Sequence, residues 1–177
     1  YMDENFGAIN GTLLPPINRN GEFFGVMTDA QGHGTASAGT IISKGSQEYD
    51  IYNNTKKFFI KGIAPDAQII PVKALWFGDV LYSWLWSAGF DNDDVQWNFS
   101  GKTRADIISN SWGVSTFPNF EYAPGFDLLS LVMTTLSLPG SFADDYPGVL
   151  MVSSAGNSGH GYGTIGLPNA SPTGISV

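Results

Sequence analysis

Asp106-Ile107-Ile108-Ser109-Asn110-Ser111 (DIISNS) is a short run of apolar and small residues that stops at Trp112-Gly113. An apolar run of this length, closed by a glycine, reads as a strand of a buried parallel sheet rather than as a helix. Val149 to Ser154 (VLMVSS) has the same character, as does Ala67 to Leu75 (AQIIPVKAL), which is entered through Pro65-Asp66. Gly174 to Val177 begins a fourth such run. Between them, Leu81 to Phe90 and about Phe126 to Leu138 read as helices. Strands that alternate with helices at this spacing argue an α/β fold, a parallel sheet with helices on both faces.

The remaining stretches fit around that frame. His33 to about Ser43 (HGTASAGTIIS) has small residues and one late apolar cluster, the pattern of a buried helix packed closely on its neighbours through Ala and Gly. Residues 1 to 32 read as loops with short extended pieces, because glycines, prolines and asparagines punctuate them. Lys44 to Thr55 reads as a polar loop, and Asp91-Asn92-Asp93-Asp94 as an acidic one. No internal repeat or charge block divides the chain, so it reads as one domain over residues 1–177, and its ends, Tyr1 and Gly174 to Val177, suggest a fold incomplete at both sides.

Composition bounds the function. With 177 residues, 42% of them hydrophobic, the chain can bury a sizeable core. Its net charge is -8 and it has only 8 lysines and arginines, so no basic patch is available to displace counterions from a nucleic acid or an anionic membrane. Without cysteine it holds no disulfide, thiol nucleophile or thiolate-bound metal. Its apolar runs are short and interrupted, and none reads as a membrane span.

In an open parallel sheet, sites gather at the carboxyl ends of strands. Here those ends carry Leu75-Trp76-Phe77-Gly78, Asn110-Ser111-Trp112-Gly113 and Ala155-Gly156-Asn157-Ser158-Gly159. His33, between Gly32 and Gly34 at the start of a helix, has the exposure that a general base needs, and imidazole is the side chain that titrates near neutral pH. Taken alone, it reads more readily as a surface or capping histidine. Asn157 follows a strand in a glycine-rich turn, where its amide can donate to an oxyanion. Turn chemistry is the plainer explanation of an asparagine beside glycine.

The sequence around His33 decides between these readings. Gly32-His33-Gly34-Thr35, followed by a small-residue helix through Ala38-Gly39-Thr40-Ile41, resembles the histidine motif of the subtilisin-like serine proteases, or subtilases. Further blocks in family order are similar: Gly62 to Ala67 leading into Val72-Lys73-Ala74-Leu75, then Asp106 to Gly113, Val152 to Gly159, and Gly163 to Val177. The resemblance implies a secreted endopeptidase with a Ser-His-Asp triad, found outside the cell or on its surface and acting on protein or peptide substrates. It makes His33 the catalytic base and Asn157 the oxyanion donor. Ser111, Trp112 and Gly113, with Phe77 and Gly78, would flank an extended substrate and pair with it main chain to main chain. Ser154, Ala155 and Gly156 would line the primary specificity pocket. Asn-x-Ser/Thr triplets at Asn10, Asn53, Asn98 and Asn169 fit an exported protein, although a chain rich in Asn and Ser also yields them by chance.

Some of the family's pattern is absent. No Gly-Thr-Ser occurs, so the nucleophile is expected beyond Val177. The triad aspartate is expected just before Tyr1; Asp3 is a weak candidate, and Asp29 a weaker one because it belongs to the histidine motif. The chain alone is therefore expected to be inactive. No cofactor is assigned; the family leaves room for a structural calcium, and Glu48, Asp50, Asn53 and Asn54 offer oxygen ligands, but their spacing matches no known metal loop. Two alternatives stand beside the protease: a non-catalytic subtilase-like domain that binds extended peptides, and an α/β nucleotide-binding protein. The second is weak, because the chain has neither a Gly-x-x-x-x-Gly-Lys-Ser/Thr loop nor a Gly-x-Gly-x-x-Gly turn.

Overall fold

The computed structural model describes residues 8–9, 12–13, 29, 31–51, 56–73, 77–114, 125–161 and 164–177. The chain divides into two compact units, one made of Tyr1–Phe24 with Ala74–Val177 and the other of Gly25–Lys73. In chain order the elements are β1 (Ala8–Ile9), β2 (Thr12–Leu13), α1 (His33–Ile42), β3 (Lys44–Ile51) and β4 (Lys56–Lys61). They continue with α2 (Phe77–Ser87), β5 (Phe90–Asn92), β6 (Trp97–Phe99), β7 (Ile107–Asn110), α3 (Leu128–Ser137), β8 (Leu150–Ser153) and β9 (Ile175–Ser176).

The first unit is built on a parallel sheet in the order β7-β8-β9, with Ile107 opposite Leu150 and Val152 opposite Ile175. These are three of the four strands expected from the sequence. The helix expected over residues 126–138 is α3. Asp127 caps it, its Oδ1 accepting the Ser130 N–H at 2.9 Å. Its buried residues, Leu129, Ser130, Met133 and Leu136, recur at helical spacing and form one stripe. Val80, Ser83, Trp84 and Ser87 form the corresponding stripe on α2. Both helices pack with Ile108, Val149 and Met151 into a single apolar cluster that also holds Phe90 and Tyr146. Each large apolar side chain buried there stabilises the fold by about 1.5–3 kcal/mol.

Among the described residues of this unit, helices lie on one face, against Ile108, Asn110, Met151 and Ser153. The alternate side chains Ile107, Leu150 and Ile175 remain 56%, 42% and 48% exposed.

The second expected helix is displaced. α2 begins at Phe77 and ends at Ser87, so Phe90 starts β5 instead of closing the helix. Gly89 is the reason: its φ of 98° lies in the left-handed region, and a Cβ there would collide with the Lys102 carbonyl. The acidic run is the turn of a hairpin, not a free loop, since β5 pairs antiparallel with β6 from Phe90–Phe99 to Asn92–Trp97. In the N-terminal region, β1 pairs with β2 antiparallel, in line with the short extended pieces expected there.

The second unit holds α1 and the β3–β4 hairpin. α1 falls where the sequence puts it, but none of its side chains is buried. The turn after β4 closes on its end: Gly62, Ile63 and Ala64 donate to the carbonyls of Ser43, Thr40 and Ile41. The small side chains thus permit close approach of a backbone turn rather than deep burial. Residues 44–55, expected as a polar loop, mostly form strand β3, paired with β4 so that Glu48 faces Phe59 and Tyr49 faces Phe58. The Tyr49 and Phe58 rings lie 5.7 Å apart, the cross-strand aromatic contact that favours a hairpin. The strand expected over residues 67–75 is absent from the described part: residues 67–73 are exposed and irregular, and no described strand pairs with them. Apolar sequence alone does not make a strand when the backbone ladder has no partner. Residues 74–76, including Trp76, lie outside the described residues.

Candidate active site

His33 is the first residue of α1, and its position is set by the turn before it. Gly32 caps the helix with φ 83°, a left-handed conformation natural to glycine, and supplies no side chain to satisfy the first turn. Asp29 does so from three residues upstream. Its Oδ1 accepts the N–H groups of Gly32 at 2.8 Å and Gln31 at 3.2 Å, and its Oδ2 accepts the Thr35 N–H at 2.9 Å and the Thr35 hydroxyl at 2.8 Å. These bonds favour the ionised form, those from Thr35 and Gly32 backbone N–H groups most, and hold the carboxyl at about 2, below its ordinary 3.8. His33, Gly32 and Thr35 are all exposed.

The first unit gathers most of the other candidates along one sheet edge. Because β7, β8 and β9 run parallel, their carboxyl ends open on the same side. Past β8, Ser154 donates its N–H to Asn110 O at 3.0 Å and Ala155 donates to Val177 O at 2.6 Å, so the ladder runs on into the turn. Gly156 follows with φ 95°, and Asn157 stands exposed at the tip. The Ser154 hydroxyl reaches Trp112 O at 3.5 Å, which links this turn to the neighbouring strand end. Ser111, Trp112 and Gly113 thus lie beside Ser154, Ala155 and Gly156.

Trp112 is only half-buried and stacks on the buried Trp84, ring centroids 5.9 Å apart. Beyond Gly113, Val114 and Leu167 exchange hydrogen bonds of 2.9 and 3.0 Å in an isolated antiparallel bridge. Phe77 and Gly78 differ from expectation. They open α2, and a helical turn does not offer the extended backbone that main-chain pairing to a substrate needs.

The comparisons with known proteins bear on the same residues. The profile of the Subtilase family matches residues 25–177, a stretch that takes in His33, the Ser111–Gly113 strand end and the Asn157 turn. The chain belongs to the Subtilase family. Pyrolysin of Pyrococcus furiosus is 28% identical to this chain over 192 aligned residues, which cover 97% of this chain and 12% of pyrolysin. The chain thus spans about an eighth of the length of that relative. No solved structure matches it.

Of the residues that offer oxygens for a structural calcium, only two lie among the described residues. Glu48 is paired with Lys57, Asp50 is exposed on the same hairpin, and Asn53 and Asn54 lie outside the described residues. No three acidic or histidine side chains converge among the described residues. Among them, too, no helix is long and apolar enough to cross a membrane. Asp3 lies outside the described residues, and His160 is exposed in the loop after Gly159.

Sequence reasoning missed the supports of the site. The sequence marks Asp29 only as a weak triad candidate, because an aspartate three residues before the cap position carries no capping signature of its own. The sequence marks Asn110 as the first residue of the Asn110–Gly113 strand end and gives it no role of its own. Its carboxamide accepts from Trp84 Nε1 at 2.8 Å and donates to Val152 O at 3.3 Å, bracing β7 where it passes into Ser111.

Proposed function

We propose that the protein is a serine endopeptidase working through a Ser-His-Asp triad, with His33 as its base and Asn157 as an oxyanion donor. The observation that supports this best is the adjacency of the Ser111–Gly113 strand end and the Ser154–Asn157 turn at one sheet edge, inside the stretch that the Subtilase family matches. Pyrolysin, similar to this chain over nearly its whole length, extends far beyond the aligned stretch.

In this reading a peptide lies extended along Ser111, Trp112 and Gly113, and its side chain at the cut enters the pocket lined by Ser154, Ala155 and Gly156. His33 takes the proton of the attacking serine hydroxyl as the new C–O bond forms. The carbonyl oxygen gains the negative charge, and the Asn157 amide donates to it. When the C–N bond breaks, His33 returns the proton to the leaving amine, and water repeats the cycle on the acyl-enzyme. Neither the seryl nucleophile nor the triad aspartate is assigned to a residue of this sequence. A protein or peptide substrate and an extracellular or cell-surface location go with the reading.

The test is peptide hydrolysis by the full-length protein. Asn157→Ala should lower kcat by about 10² to 10³ with little change in KM. His33→Ala should remove nearly all activity, and the 177-residue chain alone should hydrolyse no peptide. A full-length His33→Ala variant that cuts as fast as the parent would refute the assignment. A wild-type protein that binds extended peptides but leaves them intact would point to the non-catalytic alternative.

A further inference from the structure

We infer that Asp29 is the positioning residue of the candidate base His33, a role that rests on the protease reading above. The argument starts from what the start of α1 lacks. The first N–H groups of any helix have no partner within it, and a Ser, Thr, Asp or Asn at the cap usually satisfies one of them. Here the cap is Gly32, which makes no side-chain bond.

Asp29 stands in for that missing cap and does more than one residue at the cap position could. One carboxylate oxygen holds the N–H of Gly32, the residue before His33, and the other holds the N–H and hydroxyl of Thr35, two residues after it. The backbone on both sides of His33 is therefore tied to a single rigid group. A planar carboxylate with fixed acceptors at both ends leaves the Gly32–Thr35 turn little room to rotate, and the Cα–Cβ direction of His33 follows from that turn. Between Gly32 and Gly34, the most permissive residues for backbone torsion, the first helical bond, from Ala36 N–H to Gly32 O at 2.9 Å, is the backbone's own constraint, and the Asp29 carboxylate adds to it from outside the helix. Asp29 also passes close to Gly34, where a Cβ would come within 3.7 Å of its Oδ2.

The carboxylate acts through the imidazole and touches no substrate. General base catalysis depends on the distance and angle between base and nucleophile, and a displacement of about 1 Å can cost on the order of a hundredfold in rate. Asparagine at position 29 keeps one carbonyl oxygen, able to accept from Gly32, while its amide nitrogen cannot accept from Thr35. Alanine keeps neither contact.

The experiment uses the full-length protein with His33→Ala as control. Activities are expressed per active site, counted with a fluorophosphonate that labels the reactive serine, so that a smaller folded fraction does not count as slower chemistry. Asp29→Asn should lower kcat by about tenfold and Asp29→Ala by about a hundredfold, with KM changing less than twofold in both. Amide exchange at Thr35, slow in the parent, should become fast in both variants. If His33→Ala retains hydrolysis, the protease reading fails and the inference with it. If His33→Ala abolishes hydrolysis while both Asp29 variants keep kcat within twofold of the parent, the protease stands and the positioning role is refuted. A loss confined to KM refutes it too. Should Asp29→Ala not fold, the near-isosteric Asp29→Asn decides by the same criteria.

Discussion

The indole N–H of Trp84 on α2 donates to Oδ1 of Asn110 at the end of β7, 2.8 Å away, and each of these residues is only 3% exposed. The same carboxamide donates to Val152 O on β8, so one side chain links a helix to two strands just below the proposed substrate-binding strand end. Asn110→Ala would leave the indole donor unpaired in the core. An unsatisfied buried group costs about 1–3 kcal/mol, and the variant is expected near the upper end of that range. Urea unfolding checks this: the midpoint should fall while the slope stays unchanged. A loss well under about 1 kcal/mol would show that the indole has found another acceptor.

Arg104 closes the hairpin that follows α2. Its guanidinium donates to Trp86 O at 2.8 Å, Phe90 O at 3.2 Å and Asp91 Oδ1 at 2.7 Å, and its Cζ lies 5.0 Å from the centre of the Trp86 ring. Lysine carries the same charge but lacks the planar fork that makes these contacts together. Arg104→Lys should therefore lower stability by about 1–2 kcal/mol, read as a drop in Tm at constant pH. An unchanged Tm would mean that charge alone holds the turn.

How much of this was legible in sequence follows from where each interaction lives. β7, β8, β9 and α3 were readable because their apolar residues recur at strand or helix spacing, a local property of the chain. The β3–β4 hairpin was missed because Lys44 to Thr55 looks polar, whereas Tyr49 and Phe58 meet only across the hairpin. Gly89 turns the chain out of α2 at a left-handed φ of 98°, in a place where any Cβ would meet the Lys102 carbonyl, a closeness that no reading of residues 81–90 contains. For the site, His33 and Asn157 are candidates only through the resemblance of their surrounding blocks to the subtilases, since each alone reads as capping or turn chemistry, whereas Asp29 and Asn110 act through hydrogen bonds that appear only once the backbone is folded.

Asp29 also makes a prediction at low pH. Its folded pKa of about 2 lies below the ordinary 3.8, so the unfolded chain binds the proton first as pH falls. The stability it adds to the start of α1 is complete above pH 3.8 and is lost as pH drops through about 2. Amide shifts of Gly32 and Thr35 should titrate together with a midpoint near that lower value. A midpoint at the ordinary carboxylate value would mean that the four bonds do not persist in solution.

At the alkaline end the informative group is Tyr146. It is 1% exposed, its hydroxyl donates to Leu136 O at 2.6 Å, and burial pushes its phenol up to about 12 from 10.0. Leu136 O also accepts the Val149 N–H at 3.0 Å, so Tyr146→Phe leaves that carbonyl with a partner and should cost only about 1 kcal/mol at neutral pH. The ring contacts to Phe90 and Phe99 survive the change. Because the folded pKa is raised, the unfolded chain loses this proton first, and the contribution of the neutral phenol is whole below pH 10 and fades as pH rises toward 12. Tyr82, raised by burial and by Asp94 and Asp91, adds an alkaline slope of its own to both proteins. The difference between parent and Tyr146→Phe isolates residue 146: the advantage of the parent in urea should shrink steadily above pH 10. Parallel curves up to pH 11 would show that the phenol ionises as readily in the folded chain as in the unfolded one.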